Sequence, residues 1–246
     1  MSRVYFGRAG GTPQVVRNLI IINALMFLGM LAVRSAFQFD LNRTLGLYYF
    51  KSPLFQPFQV ITHMFMHGSL GHIFFNMFAL WMFGKVLEQV WGSRRFLIYY
   101  FVTGLGAAFL HMVVYHIEYA SVLNQVSEAY QIDNFTKEVV DRLYNTGDPI
   151  ARKLAIGMII PTVGASGAVF GVLLAFGMLF PNTQLILLFP PIPIKAKYFV
   201  IGYGILELYL GFTQPGSNVA HFAHIGGMLF GFLLIKYWQK QRNTFF

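Results

Sequence analysis

The stretch GASGAVFGVLLAFGMLF, residues 164–180, contains no charged side chain and places one serine, Ser166, among small residues. An uninterrupted apolar run of this kind is typical of a helix that is buried in a membrane. The small residues would let a partner helix or a substrate approach closely, so Ser166 has either a packing role or a chemical one. The rest of the chain decides between these two interpretations.

The composition indicates a membrane protein. Of the 246 residues, 56% are hydrophobic and only 11% are charged, whereas soluble domains contain about 25% charged residues. This balance excludes a disordered chain and argues against an ordinary soluble globule. The absence of cysteine excludes disulfides, thiolate metal sites and a cysteine nucleophile. We therefore expect an all-α polytopic membrane protein.

Six apolar segments predict six transmembrane helices, each of which needs about 20 mostly apolar residues. They are residues 18–33, 70 to about 86, 96 to about 115, a fourth segment that begins between 155 and 164 and ends at 180, 198–212 and 220–237. These segments predict a six-helix membrane domain over residues 17–240, between an N-terminal segment, 1–16, and a tail, 241–246.

Charge is distributed unevenly between the two sides of this predicted bundle. The loops on one side contain Glu88 as their only acid and the basic residues Arg3, Arg8, Arg17, Lys85, Arg94, Arg95, Lys195, Lys197, Lys236, Lys240 and Arg242. Because lysine and arginine collect in cytoplasmic loops, we expect both termini to be cytoplasmic. The net charge of +9 then reflects topology and attraction to anionic lipid, and not nucleic-acid binding.

Two loops on the opposite side are long. Residues 34–69 are rich in aromatic residues and contain Pro53 and Pro57, which predicts a hairpin partly embedded in the membrane. Residues 117–154 are polar and acidic and predict an extramembrane insertion, with one or two short helices between 122 and 144. On the cytoplasmic side, FPPIP at 189–193 predicts a stiff turn, since proline lacks the N–H that a helix needs.

Polar residues inside the predicted spans are candidates for function, because polar groups in a membrane are costly. Ser166 could instead belong to a packing motif, and His224 could bond a backbone carbonyl at a helix start. His72 and Asn76, four residues apart on one face of the second span, could instead hydrogen-bond between helices.

Depth favours the functional interpretation. At about 1.5 Å per residue, Ser166 and His224 lie roughly 21 Å, and Asn76 roughly 18 Å, from the cytoplasmic ends of their helices. Spans two, four and six all run inward from the outside, so these polar side chains can converge. Independent packing motifs would have no reason to share a level.

This convergence suits acyl-transfer chemistry. A serine hydroxyl needs a base to take its proton, and His224 can act as that base if spans four and six touch. Two stripes of small residues, Gly167 with Gly171 and Gly227 with Gly231, would allow this contact. No carboxylate lies near this level on those two helices. We therefore predict a Ser–His dyad, with the imidazole oriented by stacking on Phe170.

The oxyanion formed by the attack would need hydrogen-bond donors. His72, Asn76 and the backbone N–H of Ser166 at a helix N-terminus can supply them, aided by the helix dipole. The fourth helix is expected to begin only near Gly164, after Pro161, which leaves water access above Ser166.

Three motifs together resemble the rhomboid family of intramembrane serine proteases, in its basic six-span bacterial form. They are Gly164-x-Ser166-Gly167, Ala223-His224-x-x-Gly227-x-x-x-Gly231 and His72-x-x-x-Asn76. The resemblance covers about residues 15–240. Many family members have a Trp-Arg pair in the first long loop, where this chain has Phe58-Gln59, and the 117–154 loop is longer than in minimal members.

The resemblance implies that Ser166 is the nucleophile, that His224 is the general base and acid, and that His72 and Asn76 bind the oxyanion. It further implies a multi-pass protein of the bacterial inner membrane that cleaves other membrane proteins in or near their transmembrane segments. No cofactor or metal is implied, and the sequence does not indicate an oligomeric state.

Three other functions remain open. The same fold could bind membrane-protein clients without cutting them. A metal hydrolase could use the pairs His63 with His67 or His221 with His224, but no carboxylate stands beside them as in H-E-x-x-H. Glu207, in the fifth span, could relay protons in a transporter, although a local hydrogen bond explains it more simply, and no repeat supports transport.

Overall fold

The computed structural model describes residues 11–186, 191–214 and 219–242. Most of the predicted N-terminal segment (1–10), the first two residues of the predicted proline turn (189–190) and most of the predicted tail (243–246) lie outside the described residues. The helices in chain order are α1 (Gln14–Phe37), α2 (Asn42–Leu45), α3 (Gln59–Thr62), α4 (Leu70–Ala79), α5 (Lys85–Trp91), α6 (Ser93–Tyr130), α7 (Lys137–Tyr144), α8 (Pro149–Ile159), α9 (Ser166–Leu179), α10 (Ala196–Thr213) and α11 (His221–Arg242). A π-helical turn (Leu80–Gly84) joins α4 to α5, and a 3₁₀ turn (His63–Phe65) follows α3.

The described helices form an all-α polytopic membrane bundle. The helices α6, α9 and α11 pack against one another at its centre, α1 packs beside the α4–α5 segment, and α10 packs on α9 and α11. Within the described residues, α1, the continuous Leu70–Trp91 segment and α6 are each long and apolar enough to cross a membrane, and α9 is a shorter apolar helix. The helices α10 and α11 occupy the fifth and sixth predicted spans.

The third predicted span is part of a much longer helix. It was expected to end near Tyr115, but α6 continues to Tyr130. No glycine or proline occurs between residues 107 and 130, so nothing in this stretch breaks the helix. The predicted start of the loop at residue 117 was therefore wrong, because the backbone of residues 117–130 is still helical.

The 117–154 region folds as a small helical cap with its own apolar core. The end of α6, the short helices α7 and α8, and Tyr49 from the first long loop enclose this core. The hydroxyl of Tyr49 lies 2.7 Å from Nδ1 of His116, and burial raises the pKa of Tyr49 to about 12. The insertion is thus fastened to the first long loop.

The same loop is fastened to the segment that leads into α9. Leu47 and Thr162 exchange two backbone hydrogen bonds of 2.9 and 2.8 Å, and the Ser52 hydroxyl donates to the Met158 carbonyl at 2.7 Å. Gln59 is buried, and its amide nitrogen donates to the carbonyls of Thr44 and Leu54. Gln59 therefore holds the first long loop together internally.

Both ends of the described chain lie at the opposite end of the bundle. Glu88, at the end of α5, accepts backbone hydrogen bonds from Val15 and Val16 in the first turn of α1. Trp91 stacks edge-on against Trp238 near the end of α11, with ring centroids 5.6 Å apart. The start of α1 and the end of α11 therefore lie at the same end of the bundle, as expected for an even number of spans that includes both helices.

A small antiparallel ladder departs from the purely helical expectation. The strands β1 (Gln184–Ile186) and β2 (Pro193–Lys195) pair with Leu185 opposite Ile194. They flank the predicted proline turn and connect α9 to α10 at the end of the bundle where the described residues begin and end.

Candidate active site

Ser166 is the first residue of α9, two positions after the predicted helix start. The preceding Gly164 has φ +130°, a backbone conformation that side chains rarely adopt, and its N–H donates to the His63 carbonyl at 2.9 Å. The first long loop and this glycine thus set the direction in which Ser166 enters the helix. Ser166 is half-buried, with its backbone N–H among the unpaired donors of the first helical turn.

The serine hydroxyl and an imidazole meet across two helices. Nε2 of His224, in the first turn of α11, lies 2.8 Å from Oγ of Ser166. The two backbones can come this close only because residue 227 is a glycine. A β-carbon at this position would collide with the Gly167 carbonyl oxygen. The predicted contact between the fourth and sixth spans is therefore present, at the level of the serine.

The other two glycines of the predicted stripes face α6, as does Gly167, on which a β-carbon would collide with Cβ of Ala107. A β-carbon on Gly171 would lie 2.5 Å from Cβ of Thr103, and one on Gly231 would collide with the Tyr99 hydroxyl. Thr103 and Tyr99 both belong to α6, and the Tyr99 hydroxyl donates to the Gly171 carbonyl at 2.8 Å. The expectation that both stripes join spans four and six was wrong here, because α6 fills the space below the first glycine pair.

The His224 ring lies flat against Phe170. The ring centroids are 4.1 Å apart and the planes differ by 5°. Phe170 follows Ser166 by one helical turn, so the residue that carries the hydroxyl and the residue that supports the base lie on the same face of α9. The stacking predicted from the sequence is present.

A third side chain, which the predicted Ser–His dyad does not include, hydrogen-bonds the imidazole. Oε2 of Glu207 lies 2.8 Å from Nδ1 of His224 and 2.7 Å from Nδ1 of His221. The helices α9 and α11 carry no carboxylate, as predicted, but a carboxylate reaches His224 from a third helix, which the sequence did not predict. Glu207 comes from α10, and its side chain is buried, with 4% of the residue exposed.

The spacing of small residues along the α10 sequence marks the helix face that carries Glu207. The buried residues of α10 are Ala196, Val200, Gly204, Glu207 and Gly211. This spacing is that of one helix face, so Glu207 shares a face with two glycines. A β-carbon on Gly211 would lie 3.1 Å from the Phe222 ring, and one on Gly204 would lie 3.1 Å from the end of Met228. A carboxylate between two close-approach glycines points inward, not to the membrane edge.

Of the two predicted oxyanion residues, His72 lies near the serine, on the far side of Gly164. A β-carbon on Gly164 would lie 2.7 Å from Nε2 of His72 and 3.7 Å from Oγ of Ser166, so these two atoms flank the same gap. Asn76, one turn further along α4, is buried, and its amide nitrogen has no hydrogen-bond partner among the described residues. A buried, unpaired donor is costly unless a ligand satisfies it.

The remaining histidines near the site contribute to its surroundings. Nδ1 of His63 lies 2.9 Å from the Gln59 carbonyl oxygen, and Nε2 of His111 lies 3.0 Å from the Thr162 hydroxyl. His67 is fully buried and packs edge-on against the His72 ring, with centroids 5.0 Å apart. These contacts brace the first long loop and the α9 approach, and they do not pair His63 with His67 as metal ligands.

One group of side chains has the composition of a metal site. The ligand atoms of Glu207, His221 and His224 all lie within 4.8 Å of one another, which supplies the carboxylate that the local sequence lacks. The separations of 2.7 and 2.8 Å are, however, those of charge-assisted hydrogen bonds. A metal on Nδ1 of His224 would also place the ring proton on Nε2, where it would prevent that nitrogen from accepting a proton from Ser166.

Comparisons with known proteins agree with this architecture. The chain is 29% identical over 215 residues to "RHOMBOID-like protein 12, mitochondrial" of Arabidopsis thaliana, covering 87% of this chain and 55% of that protein. It is 27% identical over 206 residues to the human "Presenilin-associated rhomboid-like protein, mitochondrial", covering 80% and 43%. It is 26% identical over 178 residues to "Rhomboid protease GluP" of Bacillus subtilis, covering 71% and 24%.

The chain therefore spans about half, or less, of the length of these relatives. A family model described as the rhomboid domain matches residues 54–240. This range contains the serine, both histidines that bond Glu207, the carboxylate itself and the His72–Asn76 pair. Since the match covers most of the sequence, the chain belongs to the rhomboid family.

Proposed function

We propose that this protein is an intramembrane serine endopeptidase that cleaves other membrane proteins in or near their transmembrane segments. The observation that carries the proposal is the 2.8 Å separation between Oγ of Ser166 and Nε2 of His224. Membership of a family that includes a protein named as a protease supports it.

In the acylation step, Nε2 of His224 takes the hydroxyl proton as Oγ of Ser166 attacks the carbonyl carbon of the scissile peptide bond. The tetrahedral intermediate collapses when the C–N bond breaks, and the imidazolium returns its proton to the leaving amine. Serine is then esterified to the N-terminal part of the substrate. Water, deprotonated by the same nitrogen, attacks the ester, releases the carboxylic acid and restores the serine hydroxyl.

The developing oxyanion would be stabilised by donors on the α4 side of the serine. The unpaired Asn76 amide and the His72 ring beside Gly164 support this assignment. The Ser166 backbone N–H lies in the first turn of α9, where the helix dipole favours negative charge. Donors held in place before the reaction need no reorganisation as the charge forms.

The membrane setting supports a membrane-protein substrate. The bundle is embedded in lipid, and the nucleophile lies at the start of a buried apolar helix. The excess of basic residues on one side supports an orientation with both termini on the cytoplasmic side of a bacterial inner membrane, if the source is a bacterium. Two of the relatives described above carry mitochondrial names, so fractionation of the source cells is needed to test this localisation.

The experiment is cleavage of a single-span reporter substrate in liposomes by the purified chain. We expect cleavage by the parent protein and none by Ser166→Ala or His224→Ala. The exposed Ser121 of α6 provides the matched control, and Ser121→Ala should cleave at the parent rate. Cleavage by Ser166→Ala at the parent rate would refute the mechanism.

A fluorophosphonate probe separates a protease from a non-catalytic client binder. An activated serine forms a covalent adduct, so mass spectrometry should locate the probe on Ser166. A protein that only holds its clients should remain unlabelled there, even if it co-purifies with the reporter.

A further inference from the structure

The hydrogen bond between Glu207 and His224 adds a third residue to the proposed pair of Ser166 and His224. We propose that Glu207 is a positioning residue for His224, completing a Ser166–His224–Glu207 chain drawn from three different helices. This inference rests on the proposed protease function, and its experiments are chosen so that the two can fail separately.

The hydrogen-bond pattern determines which nitrogen of His224 carries the proton. An ionised carboxylate can only accept, so Oε2 of Glu207 at 2.8 Å requires a hydrogen on Nδ1 of His224. A neutral imidazole has a single N–H, and Nε2 therefore carries the lone pair that faces the Ser166 hydroxyl at 2.8 Å. Glu207 thus selects the tautomer that can act as a base, which Phe170 cannot do by stacking alone.

Burial strengthens the electrostatic interaction between Glu207 and His224. Glu207 is 4% exposed and His224 is 7% exposed, and charges interact more strongly in a low-dielectric interior than in water. When His224 accepts the serine proton it becomes an imidazolium, and the carboxylate then lies directly beside the new charge. The stabilisation is greater in the transition state than in the resting enzyme, so it raises kcat more than it lowers KM.

His221 explains how a carboxylate is tolerated at this depth. Its Nδ1 lies 2.7 Å from the same oxygen, so Oε2 can accept two hydrogen bonds from α11. A buried charge with two donors costs much less than an unpaired one. His221 thus stabilises the Glu207 carboxylate, and the carboxylate in turn orients His224.

The packing of α10 gives this arrangement its geometry. Gly204 and Gly211 lie on the Glu207 face, one turn before and one turn after it, and let α10 approach α11 closely. The carboxylate is therefore held by helix packing on both sides and does not reach the site from a loop. A side chain positioned in this way can keep a fixed angle to the imidazole.

The first test reads the tautomer in the unaltered protein. The full chain is labelled with ¹⁵N-histidine, and the His224 signal is assigned by its loss in His224→Ala. We expect the neutral ring to carry hydrogen on Nδ1 and a free lone pair on Nε2. A neutral ring with hydrogen on Nε2 in a cleavage-active sample would overturn the proposal. This test remains valid even if every Glu207 variant misfolds.

The second test compares kinetic constants with the reporter substrate. Glu207→Gln keeps the size and removes the charge, and we expect kcat to fall by up to about 10⁴-fold, the loss seen when the acid of a serine triad is neutralised. KM should change by less than about threefold, since no substrate contact is lost. Glu207→Asp should recover part of kcat. The exposed Glu128 provides the control variant, Glu128→Gln, which should match the parent.

The outcomes separate the two proposals. A parent protein that neither cleaves nor labels at Ser166 contradicts the protease function, whatever the tautomer. A parent that cleaves, with Glu207→Gln within about threefold of its kcat, contradicts only the role of Glu207. Activity that is lost on treatment with 1,10-phenanthroline and restored by zinc would show that Glu207, His221 and His224 hold a metal, and would overturn the positioning role.

Discussion

The carbonyl oxygen of Gly167 lies against the α-carbon of Gly227, so closely that no β-carbon fits between α9 and α11 at this level. Ser166 immediately precedes the first glycine, and His224 precedes the second by one helical turn. The distance between the proposed nucleophile and its base is therefore set by a backbone contact. Side-chain packing alone would leave it adjustable.

Gly227→Ala should separate the two helices. The added carbon would also lie 2.8 Å from the Gly167 carbonyl carbon, and overpacking of this kind costs about 1–3 kcal/mol. We expect a lower thermal unfolding midpoint in detergent and a large loss of reporter cleavage. Gly29→Ala is the control, because a β-carbon on Gly29 would meet nothing within 4 Å. Equal stability of the two variants would contradict the close contact.

His72→Ala and Asn76→Ala should each lower kcat by about 10²–10³-fold, because each removes one donor from the proposed oxyanion site. KM should change little, since the oxyanion forms only during the reaction. Residual activity should exceed that of Ser166→Ala. Asn124→Ala, at an exposed position of α6, should retain parent kinetics. An effect confined to KM would assign these side chains to substrate binding instead.

Phe170→Leu tests the ring that lies flat on His224. Loss of an aromatic pair removes about 0.5–1.5 kcal/mol beyond the loss of buried area, so we expect kcat to fall by roughly two- to tenfold. Phe176→Leu, on the same helix, loses a ring contact with Phe83 at 4.9 Å and serves as the packing control. Equal losses of kcat in both variants would show that the effect is structural.

Glu88→Ala should destabilise the fold without affecting the chemistry. Glu88 is 2% exposed and accepts from the Val15 and Val16 N–H groups and from the Ser93 hydroxyl at 2.6 Å. Its removal leaves the first turn of α1 uncapped, at a cost of about 1–3 kcal/mol. We expect a lower unfolding midpoint with unchanged kcat per folded molecule. Glu128→Ala, at an exposed site, should leave the midpoint unchanged.

The main features of the bundle were predictable because they depend on local patterns. Long apolar runs identify membrane helices by length and composition alone, and α1, the Leu70–Trp91 segment and α6 follow them. The end of α6 was missed because hydropathy falls after Tyr115 while helix propensity does not. Glu118, Gln125 and Glu128 are good helix formers, and no glycine or proline interrupts this stretch, so the helix leaves the apolar pattern and continues into the cap.

The sequence alone also indicated which polar groups share a depth. Ser166, His224, His72 and Asn76 were predicted at one level from the rise of an α-helix, and the structure brings Ser166 and His224 within hydrogen-bond distance while His72 lies across Gly164 from the serine. Position along a helix axis is a local quantity, since it depends only on the residues counted from the helix end.

The rotation of a helix about its own axis and the helix that it packs against are not local quantities. Only the tertiary structure decided them. Of the four stripe glycines, only Gly227 would direct a β-carbon at the facing stripe, while Gly167, Gly171 and Gly231 would direct one at α6. Glu207 belongs to the site because α10 docks with its glycine face against α11. Periodicity identifies the face of a helix that will be buried, but which helix covers that face depends on how all of them pack together.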